Sequence, residues 1–158
     1  MRALGIDLGT KRVGVAVSDR SGTLASPLTV LQRTGDRRRD HQAIRRLVEE
    51  EEAERVVVGL PLSMDGSIGA AAKGAIAEAE QLASVLAVPV ETYDERLTTV
   101  TADRDLQQLR MRAEARRRIV DKVAAAVMLQ SWLDGRSAAA ASAAAAASDA
   151  TDGPGEPS

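Results

Sequence analysis

Apolar and polar positions along the chain alternate in a way that predicts an ordered series of strands and helices. Residues 3–8 are apolar or small and read as a strand, and residues 12–18, Arg-Val-Gly-Val-Ala-Val-Ser, alternate with the two-residue period of a second. Gly9-Thr10-Lys11 between them is a tight hairpin connection. A turn over Asp19–Gly22 leads into a third strand over Thr23–Gln32, where Pro27 fits an edge position or a bulge because it has no N–H for the ladder. Residues 37–53 form a helix with a short apolar stripe, Ile44, Leu47 and Val48, and Asp36 as its N-cap. Arg55–Leu60 is a near-continuous apolar run, as expected of a buried parallel strand. After a loop over Pro61–Gly69 come an alanine-rich helix over 70–87, carrying Ile76, Leu82, Val85 and Leu86, and a fifth strand over Val88–Tyr93. Two helices close the pattern, Thr98–Leu109 and Arg112–Leu133.

The order is β-β-β-α-β-α-β-α-α: three meandering antiparallel strands, then two crossovers. That is an α/β sheet with an antiparallel edge and helices packed on its faces. The 158 residues suit one domain. The segment 137–158 is mostly Ala and Ser, carries no apolar face and cannot offset its ordering entropy by burial, so it is expected to be a disordered tail whose alanines extend the last helix for at most a turn or two. The folded domain is then 1–136.

Charge sharpens the picture. Ser137–Ser158 holds three of the 23 acidic residues and none of the 21 basic ones, so leaving it out changes the net charge from −2 to +1. Within the body, charge falls in blocks: Arg33, Arg37, Arg38, Arg39, Arg45 and Arg46, then Glu49–Glu52 with Glu54, then a second basic stretch from Arg104 to Lys122. The acidic run reads as a solvated helix face. The basic blocks are footprints of the kind a polyanion needs. Aromatic residues are only 1% of the chain, which excludes a platform that stacks single-stranded bases. With no cysteine and only His41 as histidine, thiolate zinc sites, a cysteine nucleophile and histidine metal clusters are excluded as well. No charge-free apolar run reaches about 18 residues outside the alanine segment, and polyalanine is a poor membrane anchor. Met1–Asp7 shows no signal-peptide pattern, so a cytoplasmic location and no membrane partner are expected.

The candidate chemistry is acidic. Asp7 stands near the end of an apolar strand between Ile6 and Leu8, where a carboxylate is costly to bury unless a cation or donors meet it. The alternative is a carboxylate that caps the hairpin. Asp94, Glu95 and Arg96 follow the fifth strand, at the carboxyl end where open α/β sheets place ligands, although acids there also suit a helix N-terminus. Asp121 lies in the last helix beside Ala124, Ala125 and Met128, at the edge of its buried face, and could equally pair with Arg117 or Arg118. Together these acids suit hard divalent cations bound through oxygen, Mg²⁺ above all, and two such ions can cleave a phosphodiester.

Four stretches in order, Gly5-Ile6-Asp7-Leu8-Gly9-Thr10-Lys11-Arg12-Val13-Gly14-Val15-Ala16, Val58-Gly59-Leu60-Pro61, Asp94-Glu95-Arg96-Leu97-Thr98-Thr99 and Asp121-Lys122-Val123-Ala124-Ala125, resemble the YqgF (RuvX) family over nearly all of residues 2–134. These are RNase H-like proteins related to Holliday junction resolvases and described as candidate pre-16S rRNA nucleases. The resemblance implies an RNase H-like fold, a five-stranded mixed sheet of order 3-2-1-4-5 with helices on both faces. It implies a nuclease that processes the 5′ end of precursor 16S rRNA with Mg²⁺ or Mn²⁺. Asp7, Glu95 and Asp121 would be its catalytic, metal-holding acids, with Asp94 in reserve, and Lys11, Arg12 and Arg96 would contact phosphates. The Pro61–Gly69 loop, with Ser63, Asp65 and Ser67, would position the substrate. Implied partners are precursor 16S rRNA and the pre-ribosomal particle, branched DNA by kinship, and a second copy of the chain. The other classes open are a non-cleaving nucleic-acid-binding accessory factor and, from the Asp-Leu-Gly-Thr turn, an actin-like ATPase, for which the chain is too short. One geometric requirement follows: strand five is two strands from strand one, about 10 Å by sheet spacing, so Glu95 must reach inward to meet Asp7.

Overall fold

The computed structural model describes residues 1–61, 65, 67–95, 123–139 and 142–143. Five strands, β1 (Ala3–Leu8), β2 (Arg12–Ser18), β3 (Ala25–Gln32), β4 (Arg55–Leu60) and β5 (Val90–Asp94), form one sheet of order β3-β2-β1-β4-β5. β1–β2 and β2–β3 are antiparallel, and β1–β4 and β4–β5 are parallel, as the meander and the two crossovers require. β3 is one of the two edge strands, and its pairing with β2 shifts register between Val15 and Ala16, where Leu28, next to Pro27, is the extra residue. The proline is therefore accommodated at both an edge and a bulge.

Alternation along the strands sorts the chain into two cores. Leu4 and Ile6 of β1, with Val13, Val15, Val56 and Val58, face helices α1 (Arg37–Glu50) and α2 (Ala70–Val85). Ala3, Ala16 and Val57 face the opposite side, where a third helix, α3, over 123–139, packs Ala125, Met128, Leu129 and Trp132 against them. Small residues dominate the sheet side of this second core because α3 lies close to it. A Cβ at Gly5 would come within 2.9 Å of Leu129 Cβ and 3.2 Å of the Ala125 carbonyl oxygen.

Several element ends differ from the expectation. α1 ends at Glu50 rather than 53, since Glu52 takes a left-handed φ of 53° that stops the helix. α2 ends at Val85, and Pro89 pushes the start of β5 to Val90, after which the strand runs through Asp94. Of the expected large residues, Leu82 and Leu86 are buried, while Ile76 and Val85 are only partly so, and small residues with Glu78 (Ala72, Ala75, Ala79) complete the buried face of α2. The acidic run is not only a solvated face. Arg2 reaches Glu51 at 2.6 Å, which ties the end of α1 to the start of the sheet, while the Arg20–Glu52 pair at 3.3 Å is solvent-exposed. α3 continues to 139, three residues into the alanine-rich segment. The Thr98–Leu109 helix and the first part of the Arg112–Leu133 helix lie outside the described residues. No helix among the described residues is long and apolar enough to cross a membrane.

Gly5 and Gly74 give opposite expectations. Gly5→Ala forces α3 off the sheet and should cost about 1–3 kcal/mol. A Cβ at Gly74 meets nothing within 4 Å, so Gly74→Ala should stabilise the chain by roughly 0.5–1 kcal/mol through helix propensity alone. Thermal or urea unfolding of the two variants checks both signs.

Candidate active site

The carboxyl end of β1 carries the site. Asp7 falls two residues after Gly5 and so on the same face of the sheet, the face covered by α3. Gly59 of β4 occupies the neighbouring position on that face, since Ile6 pairs with Val58 and Val57 belongs to the α3-side core. Tyr93 of β5 packs into the same core, so Glu95, two residues on, returns to that face. Asp94 pairs with Leu60 and alternates to the other side.

Glu95 crosses the two-strand distance by lying over Gly59. A Cβ on Gly59 would stand 2.5 Å from Glu95 Oε1 and 2.9 Å from its Cγ. No other residue type leaves room for that side chain to pass. At the end of this path Glu95 hydrogen-bonds Asp7. Burial, then the Asp7 charge and this hydrogen bond, push the Glu95 carboxyl up to about 8, with the Asp94 charge adding to the rise. Two carboxyls in hydrogen-bond contact cannot both stay ionised without a counter-charge, so the pair takes up either a proton or a cation. That is the donor chemistry a hard divalent ion needs, and the residues present fit one.

The remaining expected residues are distributed as follows. Asp121 and Arg96 lie outside the described residues, as does Ser63. Among the described residues no three acidic or histidine side chains gather tightly enough to cage a metal by themselves. Asp65 accepts from the Ser67 N–H at 2.9 Å within its own loop. Arg12 opens β2 on the Asp7 face, because Val13, Val15 and Val17 alternate to the other. Lys11 is exposed in the turn and lines a groove of about 690 Å³ on the α1–α2 side, where Arg33 and Arg37 stand with Asp40 and Glu78. The β1–β2 hairpin thus has the Asp7 carboxylate on one side of the sheet and, on the other, a groove in which Arg33 is paired with Glu78 and Lys11 and Arg37 add positive charge beside Asp40.

Sequence reasoning missed what fixes this turn. Arg33, just past β3, donates from Nε to the Gly9 carbonyl at 2.7 Å, and its backbone N–H donates to the Lys11 carbonyl at 2.9 Å. Its two terminal nitrogens then bind both oxygens of Glu78 in α2 at 2.9 Å, and Glu78 Oε2 also lies 2.8 Å from His41 Nε2 in α1. Side-chain exposures of 16% for Arg33, 5% for Glu78 and 4% for His41 make this a buried network. Burial alone would raise the Glu78 carboxyl. The hydrogen bonds from Arg33 and His41, with the charges of Arg33 and Arg37, outweigh it and hold the group below its ordinary value. The only sequence signal was a glutamate on the inward stripe of an alanine-rich helix, opposite an arginine block.

Likeness to known proteins agrees with this geometry. The sheet order and the helices on its opposed faces are those of an RNase H-like fold. The structure superposes on Thermus thermophilus RuvC in complex with a Holliday junction substrate with a TM-score of 0.55, covering 86% of this chain and 96% of that one at 18% identity. The family model described as "RuvX: Holliday junction resolvase" matches residues 1–135. Proteins named "Putative pre-16S rRNA nuclease" from Mycobacterium sp. (strain KMS) and Anaeromyxobacter sp. (strain Fw109-5) are each 49% identical, covering 87% of this chain and 82% and 100% of theirs. One of the same name from Myxococcus xanthus is 46% identical over 85% of this chain and 88% of its own. The chain belongs to the RuvX family of nucleases.

Two measurements bear on this construction. The clash at Gly59 is with a flexible side chain, so Gly59→Ala should leave the melting temperature nearly unchanged while displacing Glu95. Isothermal titration with Mn²⁺ should then show at least a tenfold weaker affinity. Glu78 is ionised more readily in the fold than in the unfolded chain. Its stabilisation is therefore present above about pH 4.5 and is lost as pH falls through its lower native value. Acid unfolding followed by circular dichroism should be shallower below that pH in Glu78→Gln.

Proposed function

We propose that this protein is a divalent-metal-dependent endonuclease that hydrolyses RNA phosphodiesters and trims the 5′ end of precursor 16S rRNA. The observation that carries the reading is the contact of Asp7 with Glu95 across Gly59, which brings two acids from separate strands to one point. Asp7 and Glu95 would hold the metal, Mg²⁺ or Mn²⁺. Asp121, four positions ahead of the Ala125 that packs over Gly5, would complete the set. When bound, the ion supplies Lewis-acid activation of the attacking water and charge stabilisation at the leaving oxygen.

The chain's own residues do the rest. Glu95, ionised once a cation replaces the proton it shares with Asp7, would hold the metal and orient the attacking water as the new P–O bond forms and the old ester bond breaks. Arg12, on the Asp7 face, and Arg96 would hold the scissile phosphate, and Lys11 a neighbouring one. These charges neutralise the backbone without reading the bases, which fits a chain with one Trp, one Tyr and no Phe. The RNA substrate is taken from the names of the sequence relatives.

Incubating the purified chain with a labelled 5′ fragment of precursor 16S rRNA, and in parallel with a four-way DNA junction, in Mg²⁺, Mn²⁺ or chelator, tests the reading. Metal-dependent cutting of the RNA should fall at least a hundredfold in Asp7→Asn while the melting curve stays intact. Cutting of the junction alone would replace RNA by branched DNA. Salt-sensitive RNA binding without any cutting would make the chain an accessory factor instead.

A further inference from the structure

The arginine block of α1 is not used by the carboxylate site, and the fold divides it. Residues 33–46 contain six arginines against Asp36 and Asp40. Both acids are occupied locally: Asp36 caps the helix by accepting from the Arg38 and Arg39 N–H groups, and buried Asp40 accepts from Thr34 N and Oγ1 at 3.0 and 2.8 Å. Arg33 is neutralised by Glu78. Five arginines remain, and helical spacing places them differently. Arg37, Arg38 and Arg45 line a second groove, about 630 Å³, between α1 and α2, with Gln42, Gln81 and Ser84 as neutral hydrogen-bonding groups. Arg39 and Arg46 line neither groove.

Among the described residues no carboxylate lines the second groove. Arg45 pairs with Glu49 at 3.2 Å, but both groups are largely exposed, and such a pair contributes little and yields to a competing anion. Arg37 borders both grooves and donates to Gln81 Oε1 at 3.3 Å, so the Lys11 groove continues directly into this one. Arg37 to Arg45 spans about 12 Å along the helix. A chain this poor in aromatics must hold a nucleic acid through its phosphates, and the second groove, lined by arginines and neutral groups, leads on from a first groove in which Glu78 is paired with Arg33 and Asp40 is held by Thr34.

We infer that the backbone of single-stranded RNA runs from the turn past Lys11, over Arg37, and into the α1–α2 groove, where Arg38 and Arg45 bind its phosphates. The inference rests on the proposal that the substrate is RNA and adds the surface that holds it away from the cutting point.

The test is fluorescence anisotropy of a short fluorescein-labelled single-stranded RNA with the full chain in chelator, across a series of KCl concentrations. R38E/R45E and R39E/R46E carry the same change in net charge. The first should weaken binding at least tenfold more than the second. Removing two phosphate contacts without reversing charge, as in R38Q/R45Q, should lower the slope of log affinity against log salt by about 1.4. Gly74→Glu, placed in open space beside the first groove, should weaken binding without loss of melting temperature. Equal losses in the two charge-reversed pairs, or none in either, overturn the assignment. The nuclease proposal fails separately: the groove stands if R38E/R45E loses binding though no form of the chain cuts RNA, and it falls if R38E/R45E binds as tightly as the unaltered chain while Asp7→Asn alone abolishes cutting.

Discussion

Two missing side chains on one face of the sheet govern the rest of the architecture. At Gly5 the absence of a Cβ lets α3 come close enough to bury Leu129 against the central strand. At Gly59 it leaves a path for Glu95 to cross from β5 toward Asp7. Both glycines weaken their strands entropically, and both mark a close approach of another part of the chain. The second approach is the chemically consequential one. It converts two carboxylates about 10 Å apart by sheet spacing into a hydrogen-bonded pair, and burial together with the Asp7 charge pushes Glu95 up to about 8.

The opposite face solves a different problem. The β1–β2 turn carries Asp7 and Lys11 and has no core of its own, so Arg33 holds it by two bonds to its carbonyls. A buried guanidinium is costly, and the cost is offset only where the geometry is bidentate and every polar atom is met. Glu78 and His41 provide that, and they fasten β3, α1 and α2 to the turn at one point. An apolar cluster of the same volume would pack as well, but it would not specify where the turn carbonyls sit. The face toward α3 presents carboxylates, and the face toward α1 and α2 presents arginines.

Much of this was legible from the residues. The alternation in Arg-Val-Gly-Val-Ala-Val-Ser, the apolar run at Val56–Val58 and the capping Asp36 gave elements whose ends hold within a few residues, because strand period and cap chemistry are local properties. The ends that moved, at Glu52 and around Pro89, answer to a left-handed φ and to sheet pairing. Asp7 and Glu95 were identifiable as costly acids at strand ends, and where the resemblance preferred Glu95 with Asp94 in reserve, strand alternation supplies the physical reason that Glu95 meets the Asp7 face. Glu78 escaped because a glutamate in an alanine-rich helix looks like an ordinary solvated residue until Arg33 is placed opposite it, 45 positions away in the chain.

The sequence by itself determined the α/β class, the succession of strands and helices along the chain and the presence of acids with no soft ligands beside them, since these follow from short-range periodicity and composition; the order of the strands within the sheet was implied by the family resemblance alone. Tertiary structure decided which of those acids meet, which arginines face a groove and which are neutralised, and what the bare glycines are for. Those outcomes depend on contacts between residues far apart in the chain, whose geometry exists only once the sheet has paired and the helices have packed on its two faces.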